Sequence, residues 1–416
     1  MSAGIDERTR AAAVAVARGS YGRLLSWLAW QWRDIAAAED ALAEALAAAL
    51  VCWPRDGVPD SPEGWLMTAA KRNLLKAARR RRHTEDPALT VLFAGDEDAA
   101  PPAVAVPDDR LRLMFVCAHP AIDATVRSAL MLQTVLGLDA ARIAQAFLTS
   151  SEAMTKRLVR AKAKIRLAGI RFEAPESDEL PGRVGAVLDA IYGAYTLHWG
   201  QCESGPARAL AEESLFLSEL VAAQLPGDPE GIGLLSLLLL CEARRGAQFD
   251  ADGEFIPLDQ QDPARWDADR IDRAHALLAR AGALRDPGPF QIEAAIQAAH
   301  CHRRHDEATP WADIVVLYER LIALHPGIGA RIGHAIAVAQ ATGDPGIGLQ
   351  SLEAIDPRLI QRHQPWWAAR AYLLAGTPAR VAEAIEAYGR AIAMTFEPAL
   401  QRHLARRLNA LRGPAH

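Results

Sequence analysis

GWLMTAAKRNLLKAARRRRH, Gly64 to His83, joins an apolar half to a densely basic half. Trp65, Leu66, Ala69, Leu74 and Leu75 recur at the spacing of one side of an α-helix. Lys71, Arg72, Lys76, Arg79, Arg80, Arg81 and Arg82 crowd its second half. The stretch predicts one helix, anchored in a core at its start and strongly cationic at its end. Such a helix holds a rigid positive rod against a phosphate backbone. A solvated basic end, favoured by the helix dipole, explains the stretch equally well on its own. A second basic helix downstream tips the balance.

The surrounding composition agrees with a helical protein. The chain has 416 residues, 50% of them hydrophobic, enough for roughly two or three domains with cores of their own. Ala and Leu dominate and β-branched runs are rare, so the expected fold class is all-α. A net charge of −5 excludes a globally basic nucleic-acid binder, so any DNA contact must come from local patches. The cysteines, Cys52, Cys117, Cys202, Cys241 and Cys301, are scattered and form no disulfide framework or paired metal motif, which predicts a cytoplasmic protein. No signal-peptide pattern opens the chain. The run near Ile232 to Cys241 is too short for a bilayer and reads as a buried helix, so no membrane contact is expected.

Upstream of the basic stretch, residues from about Glu7 to Leu50 read as helices. DIAAAEDALAEALAAALVCW puts Ile35, Ala38, Leu42, Ala45, Leu46 and Ala49 on one face, with Glu39, Asp40 and Glu44 towards the other. That acidic stripe is either plain solvation or a docking surface for a basic partner. WPRDGVPDSPEGW, Trp53 to Trp65, has three prolines and two glycines and predicts a stiff loop. Ser61-Pro62-Glu63 reads as the following helix start, with Ser61 as cap. Thr84 to Asp109 is rich in Pro, Ala and acid and reads as a linker.

From Arg110 to Arg171 a compact helical unit returns. Ala129, Leu130, Leu132 and Val135 form an apolar face broken at Gly137, and Asp139 is placed to cap the next helix. Leu148-Thr149-Ser150 makes a short turn, and Ser151 is the expected cap of the last helix. There Met154, Leu158, Ala161 and Ile165 point inward, and Lys156, Arg157, Arg160, Lys162, Lys164 and Arg166 remain for solvent or phosphate. A short helix, a tight turn and a basic second helix form a helix-turn-helix, whose second helix enters the major groove. Beyond Pro175, amphipathic helices punctuated by Gly and Pro run to Asn409. Ile314 to Gly327 and Ala382 to Met394 look like second helices of tetratricopeptide-type hairpins, which bury their faces only by stacking. Phe249 to Asp267 is the non-helical exception, with a turn expected at Asp252-Gly253. Trp266 beside Arg265 in this insert serves either binding or the plugging of a gap between helices.

In linear order, AEDALAEAL (Ala38 to Leu46), WPRDGVPDSPEGWL (Trp53 to Leu66), KRN through RRRR (Lys71 to Arg82), DDRLRLMFVCAHPAI (Asp108 to Ile122) and AARIAQAFLTSSEAMTKRLVRAKAKI (Ala140 to Ile165) resemble an extracytoplasmic-function sigma factor of bacterial RNA polymerase, of the sigma-70 family, group IV. LPGDPEGIGLLSLLLLCEARR, DGEFIPLDQQDPARWD and GPFQIEAAI resemble the long C-terminal extension of one subgroup. The resemblance implies a region 2-like domain over 1–83, an acidic linker over 84–109, a region 4-like helix-turn-helix over 110–171 and a regulatory helical-repeat extension over 176–416. It implies promoter DNA and core RNA polymerase as partners, and an unknown protein or ligand at the extension. No cofactor, metal or catalytic residue is implied, and the protein is not expected to be an enzyme. Glu39, Asp40, Leu42 and Glu44 would bind the polymerase core. Arg55, Asp60 and Ser61 would take an unstacked base, and Lys71, Arg72, Asn73, Arg79 and Arg80 would hold the adjoining strand. Ser151, Thr155, Lys156, Arg157, Arg160 and Lys162 would read the upstream element. Lys76, Ala118 and Thr196 to Gly200 depart from the family pattern.

Two other readings compete. A helix-turn-helix regulator with a helical-repeat sensor and no polymerase contact leaves the acidic helix and the first basic helix without a joint role. A metal enzyme would use His300, Cys301, His302 and His305 of HCHRRH, or Cys117 and His119. No carboxylate at ligand spacing and no second Cys/His pair accompanies them. Phosphate-loop, dinucleotide and nucleophile-elbow motifs are missing from the sequence.

Overall fold

The computed structural model describes residues 19–82, 109–147, 149–170, 172, 175, 179–196, 206–305, 308–361 and 363–412. Among these residues the fold is all-α, with a single antiparallel bridge between Phe249 and Phe255 and no strand. None of the described helices is long and apolar enough to cross a membrane. The expected linker, apart from Asp109, lies outside the described residues. The chain divides into two compact units, one ending at Leu197 and the other beginning at His198.

The described residues of the first unit begin with α1 over 19–32, then α2 (Ile35–Asp56) and α3 (Pro62–Arg82). Asp34 caps α2 by accepting the Ala37 N–H at 3.1 Å. The α2 stripe buries Ile35, Ala38, Leu42, Ala45, Ala49 and Trp53, and α3 contributes Leu66, Met67, Ala70 and Leu74 to the core. Ser20 and Arg23 of α1 both bond Glu63, tying α1 to the first turn of α3. The loop expected from Trp53 is shorter than its prolines suggest, because α2 continues through Pro54 to Asp56. Trp53 is buried and meets Trp65 edge to face at 5.6 Å. That anchor outweighs the helix bond that Pro54 cannot donate. Gly57, at φ 87°, ends the helix, and Ser61 accepts the Gly64 N–H at 3.3 Å to start α3.

The unit continues with α4 (Arg110–Cys117), α5 (Ala124–Thr134), α6 (Ala140–Ala146), α7 (Ser151–Leu167) and α8 (Pro181–Thr196). Gly137 turns the chain at φ 66°, and Asp139 accepts the Arg142 N–H at 2.8 Å. The cap of α7 is Ser150, not Ser151. Ser150 is the extended residue, and its Oγ accepts the Ala153 N–H at 3.2 Å. Met154, Leu158, Ala161 and Ile165 face inward as their spacing requires. α8, grouped by sequence with the extension, packs on α4 and α5. Its Val187, Leu188, Ile191 and Ala194 are buried, and Arg183 donates to the Phe115 carbonyl at 3.4 Å. The halves 19–82 and 109–196 meet closely: a Cβ on Gly22 of α1 would lie 2.0 Å from the Val135 carbonyl oxygen.

The second unit is built on α9 (Pro206–Gln224) and α10 (Pro229–Ala243). Every α10 residue from Gly231 to Ala243 is buried, so the apolar run is a core helix. α11 (Ala268–Ala283) and α12 (Pro289–His300) flank it. Glu230 accepts the Phe290 N–H at 2.8 Å and the Gln291 N–H at 3.1 Å, capping α12 from outside. α13 (Trp311–Leu324), α14 (Ile328–Thr342), α15 (Pro345–Glu353), α16 (Pro357–Ile360), α17 (Gln364–Ala375), α18 (Val381–Ala393) and α19 (Pro398–Arg412) follow. Their cores join neighbour to neighbour, with Tyr388, Leu373, Leu374 and Trp366 at the centre. The insert turns at Gly253, φ 73°, where Asp250 accepts the Asp252 and Glu254 N–H groups. Trp266 is 5% exposed among Leu235, Leu239 and Leu240, so it plugs the gap between helices. Glu254 pairs with both Arg402 and Arg406 of α19.

Candidate nucleic-acid interface

The α6–turn–α7 segment carries the strongest local chemistry. Burial of Met154, Leu158, Ala161 and Ile165 turns Ser151, Thr155, Lys156, Arg157, Arg160 and Lys164 outward, and all six are exposed. Lys156 pairs with Glu152 one turn back at 2.6 Å, a solvated contact of little strength. Arg157, Arg160 and Lys164 line a shallow depression of about 410 Å³ with Ile122, Asp123 and Thr125. No ion pair of these three cations occurs among the described residues. Asp123 sets a carboxylate at the rim. The Thr125 N–H and hydroxyl hold Asp123 below the usual carboxylate range, aided by Arg157 and Arg127. Three cations around this acid leave the depression positive.

Lys162 departs from its expected role. Its side chain is 9% exposed and paired with Glu39 of α2, which is 17% exposed. The helix turn that sends Arg160 to solvent sends Lys162 towards α2. Arg166 lies 3.6 Å from Asp34 on the same seam. Burial raises the Glu39 carboxyl above its ordinary range despite Lys162, and its Oε1 has no hydrogen-bond partner.

The acidic docking stripe is thereby divided. Asp40 and Glu44 are exposed, Glu39 is engaged internally, and Leu42 is fully buried. Leu42 belongs to the stripe that closes on α1 and α3, so it is a core residue and not a docking one.

The first basic helix is divided in the same way. Arg72, Lys76 and Arg79 are exposed, while the side chain of Arg80 lies outside the described residues. Lys71 is half-buried with its ammonium 4.4 Å from the Trp27 ring centre, and burial lowers its pKa. Asn73 donates to the Ala41 carbonyl at 3.3 Å, bracing α3 on α2. Arg55, Asp60 and Ser61 are exposed, but Arg55 stands on the last turn of α2 and Ser61 already caps α3. Outside the expected DNA-binding set, the structure adds Lys164 and the Asp123–Thr125 turn. The cap-forming Asp-Ala-Thr at 123–125 is the sequence signal for the latter.

No group of three or more metal-ligating residues occurs among the described residues. Cys301 to His305 forms a tight 3-10 turn, in which side chains three apart lie over one another, but His302 and His305 gather no third ligand among the described residues. Burial holds His300 down at about 4, edge-on to Trp311. Cys117 is buried against the Thr134 hydroxyl, and burial pushes its thiol up to about 12.

A family of unknown function (DUF6596) matches residues 183–282, from α8 of the first unit into α11 of the second. No solved structure matches the chain. An uncharacterized protein of Rhizobium meliloti (strain 1021) is 36% identical over 371 residues, spanning 87% of this chain and 87% of the relative. With that identity carried across both units, the chain belongs to the same family as the Rhizobium meliloti protein.

Proposed function

We propose that the protein is a sigma factor of the extracytoplasmic-function type, acting in the cytoplasm. It binds core RNA polymerase, directs promoter-specific initiation and is regulated by its second unit. The observation that carries this reading is the outward face of α7, where Arg157, Arg160 and Lys164 stand around an open depression on the second helix of a tight helix pair. A major groove accepts such a helix, and guanidinium groups bind guanine edges and phosphates. The exposed Arg72, Lys76 and Arg79 on α3 supply a second cationic surface in the same unit. Asp40 and Glu44 supply the acidic surface for a basic segment of the polymerase.

Fluorescence anisotropy with promoter duplexes at several salt concentrations tests the DNA part. Arg157→Ala with Arg160→Ala weakens binding and lowers the salt slope by about one for each phosphate the variant no longer holds. An unchanged slope removes α7 from the interface.

A helix-turn-helix regulator without polymerase contact is the second reading. The burial of Leu42 and the internal engagement of Glu39 favour it, because they shrink the acidic docking surface. Co-purification with core RNA polymerase separates the two, since only a sigma factor is retained.

A further inference from the structure

The seam within the first unit joins residues expected to serve two different partners. Lys162 stands on the helix proposed to read DNA, and Glu39 on the helix proposed to dock on polymerase. They are 123 residues apart in sequence, and both are largely withdrawn from water. Arg166 and Asp34 repeat the pairing at the rim, where Arg166 is half exposed. Arg112 of α4 lies over the Trp30 ring of α1, 5.9 Å from its centre. At the other edge the backbones approach so closely that only glycine fits at position 22. Across the seam, Gly137 leaves only 3.1 Å between a would-be Cβ and the Tyr21 ring.

We propose that this seam is an intramolecular latch: Lys162 occupies Glu39, holding the two halves of the first unit closed, until a basic partner surface takes Glu39 in its place. The proposal rests on the sigma-factor reading for the identity of that partner, but not for the latch itself.

The pair is poorly satisfied. A buried ion pair repays its desolvation only when its remaining polar atoms are also bonded. Here Glu39 keeps one carboxylate oxygen without a hydrogen-bond partner, and burial holds its carboxyl above the ordinary range even beside a lysine. Lys162 offers a point charge, not the two-pronged fork of an arginine. Such a contact fixes register and orientation while adding little net stability. A competing cationic surface that also bonds the free oxygen therefore has an advantage over Lys162. Meanwhile Asp40 and Glu44 remain exposed beside Glu39, available for a first encounter before the latch releases. The cations around the α7 depression are unaffected by the latch, so it restrains docking and the relative placement of the halves more than direct contact with DNA.

Three variants of the full chain test the proposal, each read by hydrogen exchange across α1, α2 and α7 and by affinity for core RNA polymerase. Lys162→Glu sets two carboxylates against each other. Gly22→Ala pries the seam without altering any charge, and alanine favours the α1 helix itself. The exchange Glu39→Lys with Lys162→Glu rebuilds the pair in reverse. The first two should speed exchange along the seam and tighten polymerase binding about tenfold, while the third should return seam exchange to the parental rate. Helical content by circular dichroism identifies any variant that fails to fold, and Gly22→Ala then carries the decision. Parental exchange in both Lys162→Glu and Gly22→Ala overturns the latch. Faster exchange with measurable but unaltered polymerase affinity also overturns it, since closure then restrains nothing. Faster exchange, restored by the reversed pair, with no polymerase binding in any form supports the latch and removes the sigma-factor reading.

Discussion

Each unit buries an ion pair in its interior, and the two pairs are built differently. In the second unit, Arg245 and Glu242 are three residues apart on the last turn of α10 and the turn that follows it. The Arg245 Nε donates to both Glu242 oxygens at 2.9 Å, and a terminal nitrogen adds a further bond at 2.5 Å. In the first unit, Lys162 and Glu39 come from distant parts of the chain and leave Glu39 Oε1 unbonded. A local, forked pair forms with its helix and stays satisfied whenever the helix exists. A long-range, single-point pair exists only while two packed surfaces stay together. The difference separates a scaffold contact from a contact suited to opening.

Substitutions at and around the two pairs test this contrast. Glu242→Ala removes the carboxylate that holds a buried guanidinium and should destabilise the second unit by about 3–5 kcal/mol in chemical denaturation. His300 gives a pH-dependent effect of similar size. Its folded pKa of about 4 lies below the ordinary 6.5, so the unfolded chain takes up a proton first as pH falls. Stability is fully present above pH 6.5 and is lost progressively towards pH 4, by about 3 kcal/mol. Denaturation midpoints at pH 7 and 4.5 check this, and His300→Phe should flatten the dependence.

Lys162→Met should cost less than Glu242→Ala, about 2 kcal/mol near neutral pH, because Glu39 has an escape. Burial already raises its carboxyl above the ordinary value, so the folded protein binds a proton there before the unfolded chain does. The penalty is absent below the ordinary carboxylate pKa and grows as pH rises through the folded value. Removing Lys162 extends that window upward, so acidification should rescue Lys162→Met. A larger cost than that of Glu242→Ala, or no acid rescue, breaks the comparison. Ser150→Ala removes the α7 cap and should lower stability by about 1 kcal/mol. Glu152→Ala removes an exposed lysine pair and should change stability by no more than about 0.5 kcal/mol.

Much of this molecule is legible locally. Apolar spacing gives α2 and α7 their buried faces, whereas α3 buries Met67 and Ala70 beside Leu66 and Leu74 and leaves Trp65, Ala69 and Leu75 half-buried. Ser61 and Asp139 announce helix starts in the residues themselves. The outward set Ser151, Thr155, Lys156, Arg157 and Arg160 follows from the same periodicity. Where sequence and structure part, burial is the cause. Pro54 signals a break, but burial of Trp53 carries α2 past it. Leu42 sits among the residues of the expected docking face, yet its spacing assigns it to the core.

The all-α class, the position of most helices and many of their buried faces follow from neighbouring residues, because helix period and capping act over a few residues. Which charges reach water depends on long-range packing. Lys162, Lys71 and Glu39 look like any other helical charge in sequence. Their partners come from distant segments, and burial strengthens or penalises each charge according to what packs against it.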